Sequence, residues 1–194
     1  MDKDTKRLLI STILLIVGCG IVFVYTYLHK DDNKPVIIKP TLYQECISET
    51  VVLDDNGLRE FMKSGTGILY FGFESCPWCN ISFPILIDVS KEYPEIPIYS
   101  YDPYEIREEE NELYKEILNE FNDYLEFDSN KNKRLYVPDV FAVYNGIPLA
   151  DHKDAVDSYK VPNRELTESE TEELKEIYRS LYTYVEESFE DGPN

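Results

Sequence analysis

The chain has 194 residues, 43% hydrophobic and 13% aromatic, with a formal net charge of −19. That is room for one domain of ordinary size plus appendages, and too apolar a composition for a disordered chain. So acidic a chain is a poor nucleic-acid binder, because phosphates are repelled, and the charge reads first as a device for solubility.

Residues 1–7 form a short basic flank with Lys3, Lys6 and Arg7. Residues 8–28 then run without a charge. As a helix this stretch is about 31 Å long, enough to cross a bilayer core. Tyr25 and Tyr27 at its far end suit a membrane interface. The flank predicts a cytoplasmic tail over 1–7, a transmembrane anchor over 8–28 and an extracytoplasmic body. A cleaved signal peptide fits less well, since no small-x-small site closes the run. Ile16-Val17-Gly18-Cys19 resembles the lipobox of bacterial lipoproteins, but nine uncharged residues follow Cys19 where a mature lipoprotein usually turns polar.

Residues 29–47 begin rich in Asp, Asn, Lys and Pro and read as a tether. Cys46, near its end, reads as a small buried packing residue, with a third redox thiol as the alternative. The body, 48–190, opens with a β-branched strand over 48–54. Asp54-Asp55-Asn56 then caps a helix over 57–64 that stops at Gly65. A strand over 67–73 leads into Cys76-Pro77-Trp78-Cys79 and a helix over 77–92, followed by a strand over 96–102. Ile106, Leu113, Ile117, Phe121 and Tyr124 recur at helical spacing and predict one long helix over 105–127. Residues 128–134 are a polar loop. A strand over 140–144, the turn Asn145-Gly146 and a strand over 147–150 make a hairpin. His152 follows in an irregular, Asp-rich segment and reads as a surface histidine. Thr167-Glu168-Ser169-Glu170 fits a capping box that opens a last helix to about 189. Its predicted buried stripe is Leu174, Ile177, Tyr178, Leu181, Tyr184 and Val185.

The chemistry sits at Cys76 and Cys79. At a helix N-terminus, unpaired backbone N–H groups and the macrodipole favour a thiolate, so Cys76 becomes nucleophilic. Cys79, one turn further in, can resolve a mixed disulfide formed by Cys76. Half of a zinc site is the first alternative, but no second Cys/His pair is present. A static structural disulfide is the second.

The motif from Ile68 through Cys76-Pro77-Trp78-Cys79 to Pro84 resembles a thioredoxin-like active site. Val137-Pro138 followed by an apolar strand and Asn145-Gly146 resembles the family's cis-proline block. Within that superfamily the chain is similar to membrane-anchored thioredoxin-like proteins of Gram-positive bacteria, including bacteriocin transport accessory proteins. The resemblance implies an α/β thioredoxin-like fold, a central mixed β-sheet flanked by helices behind one N-terminal transmembrane helix. It also implies a membrane-anchored thiol–disulfide oxidoreductase with Cys76 as nucleophile, Cys79 as resolving thiol, and Val137, Pro138 and Trp78 meeting the substrate. The implied partners are exported proteins or peptides carrying thiols or disulfides, and a membrane electron-transfer partner; no dissociable cofactor is needed. The alternative is an accessory, peptide-binding protein of a bacteriocin export or immunity system with secondary redox chemistry. One departure stands out. Where many thioredoxins bury an aspartate six residues before the first cysteine, this chain has Tyr70, a poor base at neutral pH.

Overall fold

The computed structural model describes residues 40–191. The anchor expected over 8–28, with Cys19, lies outside the described residues, and among those residues no helix is long and apolar enough to cross a membrane. The dithiol belongs to a compact unit formed by Ile37–Pro162 and Leu166–Asn194. Of the other unit, Met1–Val36 with Asn163–Glu165, only the last three residues are described.

The unit opens with a helix, α1, Pro40–Ser48, where a tether was expected. Proline suits the first helical position, and Tyr43 and Cys46, three residues apart, put one face of α1 into the core at 4% exposure each. Burial of that face is what makes these residues part of the domain. The strand expected over 48–54 shrinks to β1, Val51–Val52, an exposed edge. Helix α2, Asp55–Ser64, is capped by Asp54, whose Oδ1 accepts from the Gly57 N–H at 2.7 Å.

Strand β2, Gly67–Phe71, is buried throughout. Helix α3, Pro77–Ser90, follows, with Pro84 in its interior. Strand β3 is Ile98–Tyr101. The single long helix expected over 105–127 is instead two, α4 (Tyr104–Glu109) and α5 (Glu112–Glu120). Glu110 adopts a left-handed conformation (φ 48°) that ends α4, and Asn111 caps α5 by accepting from the Tyr114 N–H at 3.0 Å. The apolar spacing survived the break, so Ile106, Leu113, Ile117 and Phe121 all reach the core. A two-stranded ribbon follows, β4 (Glu126–Phe127) with β5 (Lys133–Arg134).

Strands β6 (Asp139–Tyr144) and β7 (Ile147–Lys153) form the expected hairpin. Asn145 and Gly146 both take positive φ, 51° and 79°, and a Cβ at Gly146 would fall 2.5 Å from the Met62 carbonyl oxygen. Helix α6, Glu168–Asp191, begins with the expected capping box: the Glu170 N–H donates to Thr167 Oγ1 at 3.3 Å and the Thr167 N–H to Glu170 Oε2 at 2.9 Å. Its buried stripe differs from expectation at two places, and the first is Ile177, which is only half-buried. Tyr184 is exposed, and Tyr182 is buried against Tyr93, with the rings stacked at 4.5 Å.

The main sheet runs in the order β1-β3-β2-β6-β7. The first three strands are parallel and the last two pair antiparallel. Alternation along β2 divides the core. Leu69 and Phe71 face one side with Leu58 and Phe61 of α2, Leu113 and Ile117 of α5, and Phe141 of β6. Ile68 and Tyr70 face the other, where Tyr70 stacks on Phe83 of α3 and Tyr43 of α1 packs on the same ring. This is an α/β fold with a mixed central sheet between helices, consistent with a thioredoxin-like arrangement.

Candidate active site

Strand β2 ends at Phe71, and four residues lead to Cys76, the N-cap of α3. The Cys79 N–H donates to Cys76 Sγ at 3.3 Å, so the sulfur fills the place a capping oxygen usually takes. Pro77 occupies the first helical position, where no N–H is needed. The loop is tied from both sides. Asn80 Nδ2 donates to the carbonyls of Glu74 (2.6 Å) and Cys76 (2.8 Å), and Gln44 of α1 donates to Glu74 Oε2 at 3.0 Å. Phe73 is held edge-on to Tyr104 and under the Arg107 guanidinium.

Cys76 and Cys79 are both free thiols. Cys76 is only 5% exposed and Cys79 is fully buried. The Cys76 thiol is turned inward and donates to the Val137 carbonyl oxygen at 3.5 Å. The Val137–Pro138 peptide is cis. The two ionisations are pushed apart. The hydrogen bond from Cys79, with the Cys79 and Trp78 backbone N–H groups, holds Cys76 below the usual thiol range against the effect of burial. Burial, then the hydrogen bond and charge of Cys76, push Cys79 far up, and the Tyr70 hydroxyl opposes this in part. The geometry therefore supports one thiolate at Cys76 beside a protonated neighbour, the arrangement needed to attack a disulfide and then resolve it.

The other residues singled out in the sequence fall as follows. Trp78 is half-buried and edge-on to Tyr159, with ring centroids 5.4 Å apart. Val137 is half-buried and Pro138 buried beside the thiol. Tyr70 is fully buried beneath the pair. His152 does not sit on the surface, because β7 runs three residues further than expected. It pairs opposite Val140, lies edge-on to Tyr178, and burial lowers its pKa. Cys46 is buried in α1, and burial raises its pKa to about 11. Among the described residues no cluster of three His, Cys, Asp or Glu side chains could hold a metal ion.

Sequence reasoning missed three contributors. Tyr43 and Tyr159 come from segments read as tether and irregular chain, and carry no motif. Asp139 directly follows Pro138, is fully buried, and has no hydrogen-bond partner on either carboxylate oxygen. Lys153 Nζ lies 3.8 Å away but gives its hydrogen bonds to Asp151 and the Tyr124 carbonyl. Beside the loop, a groove of about 860 Å³ carries Asp54, Asp55, Glu74, Asp102, Glu105 and Glu109 on its walls, with no lysine or arginine among its lining residues.

Parallel strands turned antiparallel at β6, a cysteine pair opening the central helix and a cis proline across from it define a thioredoxin-like architecture with a dithiol site. Solved structures similar to this chain are thioredoxins. Thioredoxin f2 of Chlamydomonas reinhardtii shares 15% identity, covering 54% of this chain and 82% of its own, with a TM-score of 0.37. Thioredoxin O2 of Arabidopsis thaliana, in its oxidized state, shares 18% identity over 70% of this chain and 96% of its own, with a TM-score of 0.44. No family model matches the sequence, and no curated protein matches it.

Proposed function

We propose that the chain is a thiol–disulfide oxidoreductase in which Cys76 exchanges with a substrate disulfide and Cys79 resolves the mixed disulfide. One observation carries this reading. Cys76 Sγ sits at the mouth of α3, between the Cys79 N–H that stabilises its thiolate and the Val137 carbonyl beside the cis proline. Val137 then offers backbone groups to an extended substrate segment, and Trp78 offers an apolar ring beside it. The uncharged run over 8–28 and its basic flank support a body held at the outer face of a membrane, as in the membrane-anchored proteins that the sequence resembles. Exported proteins or peptides are then the substrates, and a membrane partner exchanges electrons with the pair.

The test is the reduction potential of the Cys76–Cys79 couple, equilibrated against glutathione. A value near about −120 mV marks a donor of disulfides, and one near about −270 mV a reductant. A pair that cannot be cycled between dithiol and disulfide would remove the enzyme reading and leave a peptide-binding accessory role in its place.

A further inference from the structure

We propose that the β4–β5 ribbon is a docking surface for an acidic, carboxylate-bearing segment of the protein or peptide whose sulfur meets Cys76, a role that rests on the thiol–disulfide reading above. In so acidic a chain, cations are taken up by neighbouring carboxylates. Glu116 holds Arg59, Asp88 holds both Lys91 and Lys175, Asp151 holds Lys153, and Glu92 and Glu172 hold Arg179. The ribbon departs from this pattern. Among the described residues, Lys131, Lys133 and Arg134 take part in no ion pair. The ribbon's own carboxylates leave them free. Glu126 stands across from Arg134 in the strand register, but the guanidinium lies over the Tyr136 ring instead, 5.8 Å from its centroid. Asp128 Oδ1 accepts from the Asn130 and Asn132 N–H groups at 2.8 Å each, which closes the turn.

Two of these cations are held in place without being cancelled. Lys133 Nζ donates to the Leu125 carbonyl at 2.7 Å and sits 4.4 Å over the Phe127 ring. Ring faces and a carbonyl orient a cation but carry no net negative charge. Lys131, exposed at the turn, adds a third positive charge. The patch is therefore preorganised for anions, and little side-chain freedom is lost when one arrives. Phe127 is 62% exposed, yet its face is occupied by Lys133, so it is not a bare ring for insertion into lipid. The patch suits the carboxylates of a polypeptide better.

The ribbon is also joined to the site. Arg134 ends β5, and Val137 and Pro138 follow three and four residues on. Leu135 between them is buried, and its N–H donates to the Tyr114 hydroxyl of α5 at 3.3 Å, which fixes this connection to the body. An extended segment that pairs with Val137 passes Arg134 about 10 Å, or three residues, from that point. The ribbon acts only within about a Debye length of 8 Å at physiological salt, so it does not reverse the repulsion that a net charge of −19 exerts on small free anions. It instead sets where an acidic segment can lie on a body that repels it elsewhere, and so fixes register.

The test uses the full-length reduced chain and synthetic peptides, each with one cysteine held as its mixed disulfide with thionitrobenzoate. Three glutamates or three serines begin three residues before or after that cysteine. The Cys76 thiolate attacks the peptide sulfur, and thionitrobenzoate leaves with the bonding pair and is read by its colour. The rate that survives Cys76→Ser is subtracted. Lys131→Gln with Arg134→Gln should slow one of the glutamate peptides about three- to thirtyfold, the scale of two exposed ion pairs, and leave the serine peptides unchanged. Lys63→Gln with Lys115→Gln makes the same change in net charge elsewhere and should alter that rate less than about twofold. Equal slowing by both pairs of substitutions, or by neither, would overturn the proposal. Should Arg134→Gln disturb the fold, Lys131→Gln alone, at an exposed position, carries the same comparison against Lys63→Gln. No preference among peptides, together with trypsin protection of Lys131–Arg134 in phosphatidylglycerol but not phosphatidylcholine nanodiscs, would overturn it and assign the ribbon to lipid. A parent chain that releases no more thionitrobenzoate than Cys76→Ser would sink the oxidoreductase reading itself. The ribbon is then judged by fluorescence anisotropy on a glutamate peptide with serine for cysteine: binding weakened by the ribbon substitutions supports the surface, and binding indifferent to them overturns it.

Discussion

Cys76 and Cys79 are the same residue type three positions apart, yet their surroundings drive their ionisations in opposite directions. The Cys79 hydrogen bond and two helix-mouth N–H groups favour charge on Cys76, while burial keeps Cys79 protonated. Alkylation of Cys76 by iodoacetamide should therefore have its midpoint below the free-thiol value of about 8.5, and its rate should fall as pH drops through that midpoint. Mass mapping of the labelled cysteine across pH checks this; labelling of Cys79 before Cys76 would contradict it. Asp139 gives the opposite case. Burial raises its carboxyl pKa well above the usual value, with Lys153 only partly opposing. The folded state then binds a proton that the unfolded chain releases near pH about 4, so this residue costs stability as pH rises from there toward neutrality. Asp139→Asn should gain about 1–3 kcal/mol at neutral pH and flatten that slope, read by urea unfolding at several pH values. At this scale the sequence was legible where a motif fixes spacing, as with Cys76, Cys79 and Pro138. It was silent on Asp139 and Tyr43, whose environments are assembled by residues dozens of positions away.

Among the elements, α1 changes where the domain begins. Its Pro, Gln and Glu content looks like linker, and only the pairing of Tyr43 with Phe83 shows that it has a buried face. Tyr43→Ala should cost about 3–5 kcal/mol, measurable by thermal or denaturant melting; a loss below about 1 kcal/mol would return α1 to the tether. The two-helix split at Glu110 and Asn111 teaches the converse. Periodicity reports which residues face the core, not whether the backbone between them is continuous, and a side-chain cap in mid-pattern outweighed the helical spacing. The strands, the hairpin turn at Asn145-Gly146 and the capping box at Thr167 were readable because each depends on neighbours a few positions away. The paired length of β7 depends on β6 across the sheet, and for that reason His152 was misplaced.

For the molecule as a whole, negative charge sets what can approach the site. The net charge is −19, and the groove next to the dithiol concentrates six carboxylates without a basic partner in its lining. Such a field raises the local concentration of cations and repels anions, and salt weakens both effects. Cystamine should therefore react faster with the reduced pair than oxidised glutathione at low ionic strength, and the gap should narrow as salt is added. Stopped-flow rates over a salt series check this, and a ratio independent of salt would show that the groove does not steer small disulfides.

Trp78 is the single tryptophan of the chain, and it lies between the two cysteines. Its placement makes the protein its own optical gauge. A neighbouring disulfide quenches indole emission, so brightness should rise when the pair is reduced and fall when it is reoxidised. With no second indole to dilute the signal, the occupancy of each redox state can be followed in the native chain, in real time and without a label.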